Sequence, residues 1–154
     1  LDMYLLSSGS VSSKTKNYPV DLKALASKNS RVRILDPIKS ELIVTTINAY
    51  DMGVFLIPPI NFNYENTLPN KLFDFIQARL AIAVGPTPEM AEIVNRYSLG
   101  VVSNDFTAKS LAEKLNQLTI EDIARFKANT ETAAQQLNAE ENAKILIDVI
   151  ERSF

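Results

Sequence analysis

The stretch from Ile57 to Val94, IPPINFNYENTLPNKLFDFIQARLAIAVGPTPEMAEIV, constrains the fold more than any other part of the chain. It opens on the end of an apolar run stopped by two prolines, passes through a long polar loop, and then reads helix, strand, helix. Leu68, Leu72, Phe75 and Ile76 fall at i, i+4, i+7 and i+8, one core-facing stripe, with Asn70, Lys71, Asp74 and Gln77 away from it. Ile82–Val84 reads as a strand, and Met90, Ile93, Val94 and Tyr97 repeat the helical stripe. Thr67 or Leu68 precedes Pro69, and Thr87 precedes Pro88. Thr caps helices, and Pro is at home in a first turn because its missing N–H would lack a partner there anyway. Two consecutive strand–loop–helix units set two helix N-termini along one edge of a parallel sheet. That edge carries unpaired N–H groups and partial positive charge, and open α/β folds hold phosphorylated ligands there.

The remainder of the chain extends the same alternation. Asp2–Leu6 is a short apolar strand running into Ser7-Ser8-Gly9, and Ser10–Asn17 is a polar loop. Asp21–Lys28 is a short helix carrying Leu22, Leu25 and Ala26, and Val32–Leu35 is a strand stopped by Asp36-Pro37. Ser40 precedes a helix with Leu42, Ile43, Ile47 and Tyr50. Met52–Ile57 is apolar enough for a strand buried on both faces. Beyond Tyr97, Gly100 reads as a helix stop beside a short strand, Gly100–Val102. Thr107 caps a helix with Leu111, Leu115 and Leu118. Thr119 and Asp122 open a helix through Leu137 in the manner of a capping box, and Asn138 caps a last helix with Ile145, Leu146, Val149 and Ile150. The expectation is an α/β fold: a doubly wound, mainly parallel Rossmann-like sheet of five strands, with Leu5, Ile34, Phe55, Ile82 and Val101 in its interior and extra C-terminal helices. Those helices have no strand between them, so they are expected to pack on the sheet's flank or on a neighbouring domain.

At 154 residues and 46% hydrophobic the chain suits one domain, 1–154, with a proper core. The near-balanced charge of −2 argues against non-specific nucleic-acid binding, and no apolar stretch reaches the roughly 18 residues that span a bilayer. Leu1–Leu6 lacks the basic flank of a signal peptide, and the missing initiator Met points to a piece of something longer. There is no Cys and no His. Disulfides, thiolate nucleophiles, imidazole bases and the usual zinc sites are thereby excluded, and no metal site is expected. Chemistry has to rest on carboxylates, Lys, Arg, hydroxyls and backbone amides.

Asp74 is the first candidate, because a carboxylate off the apolar face and near the ligand edge can accept two hydrogen bonds from a vicinal diol such as a ribose. From periodicity alone the i,i+3 ion pair with Lys71 is the preferred reading of the same residue. Glu65, Asn66 and Thr67 lie where a sugar or phosphate would be met, and are also ordinary turn residues. Lys71 suits a phosphate or plain solvation. The amides from Thr67 to Asn70 need no particular side chain to attract an anion. Neither G-x-G-x-x-G nor a P-loop is present.

NTLPNKLFDFIQARLAIAVGPTPEMAEIV resembles the C-terminal, donor-binding domain of GT-B glycosyltransferases (glycosyl transferases group 1). Asn66 and Asp74 stand at the eight-residue spacing of that family's paired acids, and Pro88-Glu89-Met90-Ala91-Glu92-Ile93 is similar to its following helix start. Leu35-Asp36-Pro37-Ile38 resembles the loop that holds the nucleotide base, and Ser7-Ser8-Gly9 the loop after the second strand. The resemblance implies the donor-binding half of a nucleotide-sugar-dependent glycosyltransferase making a surface polysaccharide or glycolipid, with a UDP- or GDP-linked donor and no cofactor. Asp74 would hold the ribose, Thr67 and Leu68 amides the pyrophosphate, and Asn66 or Glu65 the sugar or distal phosphate. Lys71, Pro37, Ile38 and Gly9 would complete the donor site. It further implies that a first strand and an acceptor-binding N-terminal domain are missing, and a cytoplasmic enzyme, peripheral at the inner face of the membrane. Asn in place of the first acid, Asp in place of the second, and no glycine in Gln77-Ala78-Arg79-Leu80 depart from the family pattern. A sugar-nucleotide epimerase of the same architecture and a non-catalytic scaffold with a degenerate donor site are the alternatives.

Overall fold

The computed structural model describes residues 2–6 and 18–153. Gly9 lies outside the described residues. The chain divides into two compact units, Leu1–Ile43 and Val44–Phe154. In the first, strand β1 (Met3–Leu6) pairs in parallel with β2 (Val32–Leu35), Met3 opposite Val32, and helix α1 (Tyr18–Ala26) joins them. A 3-10 turn, Ser40–Leu42, leads into the five-residue α2 (Ile43–Ile47), which belongs to the second unit from Val44 on.

The second unit holds a three-stranded parallel sheet in the order β3 (Met52–Phe55), β4 (Ala81–Val84), β5 (Gly100–Val102). Its helices are α3 (Phe62–Glu65), α4 (Asn70–Gln77), α5 (Pro88–Arg96), α6 (Ala108–Asn116), α7 (Ile120–Ala134) and α8 (Ala139–Glu151). All four β4 residues are fully buried, as the central strand of a parallel sheet requires. Leu72 and Ile76 of α4, Met90 and Val94 of α5, and Ala133 and Ala134 of α7 close the core around Ile82 and Val84. Gly53 lets the Phe75 ring lie on β3, since a Cβ there would clash with the ring at its Cγ.

This is a small α/β fold with generic Rossmann-like order, but its strands form two sheets, not one of five. β1 and β3 are not paired, so the expected interior is realised only in part. Ile82 is buried, while Leu5, Ile34, Phe55 and Val101 are half-buried. β3 pairs on one side only, and Val54 is 41% exposed against the expectation of burial on both faces. The last helix departs furthest. None of α8 is buried and Ile145, Leu146, Val149 and Ile150 are exposed, so this helix does not pack on the sheet's flank, the first of its two expected places.

The stop of α5 also differs from expectation. α4 and α5 both end on a left-handed residue, Arg79 at φ 60° and Ser98 at φ 52°. In each turn the left-handed N–H bonds back three residues (Arg79 to Ile76 O, Ser98 to Asn95 O). The next N–H bonds back five (Leu80 to Phe75 O, Leu99 to Val94 O). These are two full Schellman turns, each followed by a buried Leu, with no glycine in either. Gly100, read as the stop, belongs to β5 and is glycine because a Cβ would collide with the Ile82 carbonyl.

α7 spans the other end of these strands. Lys127 Nζ donates to Tyr50 O at 3.0 Å, Thr130 Oγ1 to Leu80 O at 2.9 Å, and Asn129 Nδ2 to Ser98 O at 2.8 Å. One helix therefore ties off a carbonyl just ahead of each of the three strands.

Candidate functional site

The residues singled out around α4 lie on one continuous segment between β3 and the body of that helix. The helix begins at Asn70, with Pro69 in an extended conformation at the N-cap and no side-chain capping bond. Thr67 therefore does not cap it. Leu68 stands outside the helix, 40% exposed, where the apolar stripe placed it in the core. Pro69 has no N–H to satisfy, and no group among the described residues accepts from the N–H groups of Thr67, Leu68, Asn70 or Lys71. Four free donors at a helix start attract an anion.

Asp74 follows about 6 Å along the axis from the first helical residue, at 1.5 Å per residue. Its carboxylate is half-buried, and burial pushes its pKa above the ordinary carboxylate value, partly countered by the Lys71 charge. The Lys71–Asp74 ion pair is absent within 4.0 Å. Lys71 instead holds its ammonium 4.8 Å from the centroid of the Phe55 ring, at the carboxyl end of β3. Phe55 is thus part of the site's wall, though its sequence context marks it only as strand interior. A lone aromatic ending a strand was the available signal.

Glu65 and Asn66 close α3, a single turn inside what the sequence presents as loop. Asn61 caps it by accepting from Tyr64 N–H at 2.9 Å. Asn66 Nδ2 donates one of its two N–H groups to Phe62 O at 2.9 Å, leaving the other N–H and Oδ1 for a ligand. Glu65 is exposed. Pro37 and Ile38 follow β2 in the first unit, whereas Glu65, Asn66, Thr67, Leu68, Lys71 and Asp74 all belong to the second. Beside Pro37, an open depression of about 450 Å³ is lined by Val32, Ile34, Lys23 and Asp36 among others.

A second depression of about 500 Å³ lies at the far end of α4, among Asn48, Gln77, Arg79 and Glu131. Its polar groups satisfy one another or nearby carbonyls. Arg79 Nε meets Glu131 at 2.6 Å, Asn48 donates to Ala78 O, and Gln77 donates to Leu137 O and Ala134 O. That wall fastens α4 to α7, and Gln77 belongs to it rather than to the ligand edge. Among the described residues no three His, Cys, Asp or Glu side chains gather as a metal site would require. No helix among them is long and apolar enough to cross a membrane.

The chain matches no protein-family model, and a search of curated proteins returns no match.

Proposed function

We propose that the chain is the donor-binding half of a nucleotide-sugar-dependent glycosyltransferase. In this reading it forms the doubly wound C-terminal lobe of a GT-B enzyme that works on the cytoplasmic side in surface polysaccharide or glycolipid synthesis. The observation that carries the reading is Asp74. It is a half-buried carboxylate with no ion pair, placed just inside a helix whose first N–H groups have no acceptor. A fold that only needed a helix here gains nothing from a partly desolvated charge. A ligand offering a pyrophosphate and a ribose diol uses both features, the amides for the anion and the carboxylate for the hydroxyls. Lys71 needs only to swing from the Phe55 ring to add a positive charge to the phosphates. The acceptor and the groups that act on it would belong to a further domain.

The donor-free scaffold is the second reading, favoured by Asn66, whose side chain is engaged in ending α3. Thermal unfolding with UDP, GDP and ADP separates the two. A nucleotide at one hundred times its Kd adds about 2.7 kcal/mol of stability. At least one should raise the melting temperature, and Asp74→Asn should weaken that nucleotide about ten- to a hundred-fold. Without nucleotide the variant should melt no lower than the parent at pH 7. A carboxyl whose folded pKa is raised favours the fold below its unfolded pKa of 3.8, and this is lost as pH rises through the folded value. Asn removes that loss, so any gain of the variant should vanish in acid. No response to any of the three nucleotides would leave the scaffold.

A further inference from the structure

The segment from Pro58 to Leu68 is bonded only to itself. Ile60 N–H donates to Pro58 O, Glu65 N–H to Asn61 O, Asn66 N–H to Phe62 O, Tyr64 N–H to Asn61 Oδ1, and Asn66 Nδ2 to Phe62 O. Among the described residues no hydrogen bond ties this segment to the rest of its unit. None of its side chains is buried; Ile60 is 72% exposed and Phe62 77%, while Tyr64 and Leu68 are near 40%. Rigid residues bracket it, Pro58-Pro59 after β3 and Pro69 before α4. Ile57, just before the first bracket, is packed on the core and anchors that end.

A short self-capped turn with no hydrogen bond to the rest of its unit, stiff prolines at its ends, exposed apolar side chains and free helix N–H groups beside it can move as one body. We propose that residues 58–68 form a lid that closes over a nucleotide held at the start of α4, covering it with Ile60, Phe62 and Tyr64. This rests on the donor-site reading above. Closure brings apolar and aromatic surface out of water and shields the phosphate contacts, which strengthens them. Low local stability is what lets such a segment respond to a ligand.

Hydrogen exchange on the whole chain, with and without whichever of UDP, GDP or ADP stabilises it, tests the lid. Amides across 60–66 should slow on binding, well beyond the free amides at 67–71 that the nucleotide itself would protect. Phe62→Ala should leave the nucleotide-free melting temperature unchanged, because the ring is in solvent. It should lower nucleotide affinity about tenfold through loss of the closed contact. Protection confined to 67–74 with normal affinity of Phe62→Ala would overturn the lid while leaving the donor site standing. Failure of every nucleotide to stabilise the chain would remove both.

Discussion

Thr87 and Thr130 are both wholly buried, yet their hydroxyls are in opposite positions. Thr130 Oγ1 lies within hydrogen-bond distance of Leu80 O and of Phe126 O, whereas Thr87 Oγ1 has no partner. Thr87 is the N-cap of α5, as its place before Pro88 leads one to expect, but its side chain makes no capping bond. The same substitution should therefore have opposite signs at the two sites. Thr87→Val removes an unsatisfied buried hydroxyl and should stabilise by about 1 kcal/mol, while Thr130→Val orphans a carbonyl and should cost about 1–2 kcal/mol. Urea midpoints with unchanged slopes would show this, and two shifts of the same sign would refute it. Sequence alone distinguishes neither threonine, because the partner of Thr130 lies fifty residues away. The candidate site was legible to the same depth. Asp74 and the free amides follow from a helix start and a local stripe, but the Phe55 perch of Lys71 and the internal bond of Asn66 require the folded chain.

Among elements, what is local in sequence was readable and what is distant was not. Thr107 accepts from Ser110 N–H, Thr119 and Asp122 form a complete capping box, and Asn138 accepts from Glu141 N–H, all as the sequence pattern indicates. Each involves residues three apart. The stop of α5 is not Gly100, although glycine is the usual residue in that role; burial of Leu80 and Leu99 and the bonds of the turns hold Arg79 and Ser98 in the left-handed region. Two substitutions follow. Ser98→Gly relieves a left-handed conformation worth roughly 1 kcal/mol and keeps the carbonyl that Asn129 uses, so it should be neutral to stabilising. Gly100→Ala sets a methyl against the backbone of β4, which cannot yield as a side chain would, and should cost more than about 3 kcal/mol. Equal effects of the two in chemical unfolding would return Gly100 to the role of a mere stop. An alternation of strands and helices specifies elements, not which edges meet; only the first strand that the resemblance implies is missing leads one to expect β1 and β3 to stay unpaired, as they are.

Across the whole molecule, α7 and α8 play unequal parts although both are amphipathic helices at the same end of the chain. α7 contributes Phe126, Thr130, Ala133 and Ala134 to buried positions, and α8 contributes nothing buried. A chain ended after Asn138 should keep the cooperative melting of the second unit to within about 1 kcal/mol. One ended after Leu118 should lose it. Equal behaviour of the two truncations by calorimetry would show that the fastening at Tyr50, Leu80 and Ser98 is dispensable. That fastening also has a consequence in time. A nascent chain has made all three strands of the second sheet by Val102, but the side chains that close them come only at Lys127, Asn129 and Thr130. At about 5–20 residues per second the ribosome takes a few seconds to cross that interval. Through it the newborn sheet stands with those carbonyls untied and the core face under Ala133 and Ala134 uncovered, and slow codons between 103 and 126 would lengthen its exposure to chaperones and to other unfinished chains.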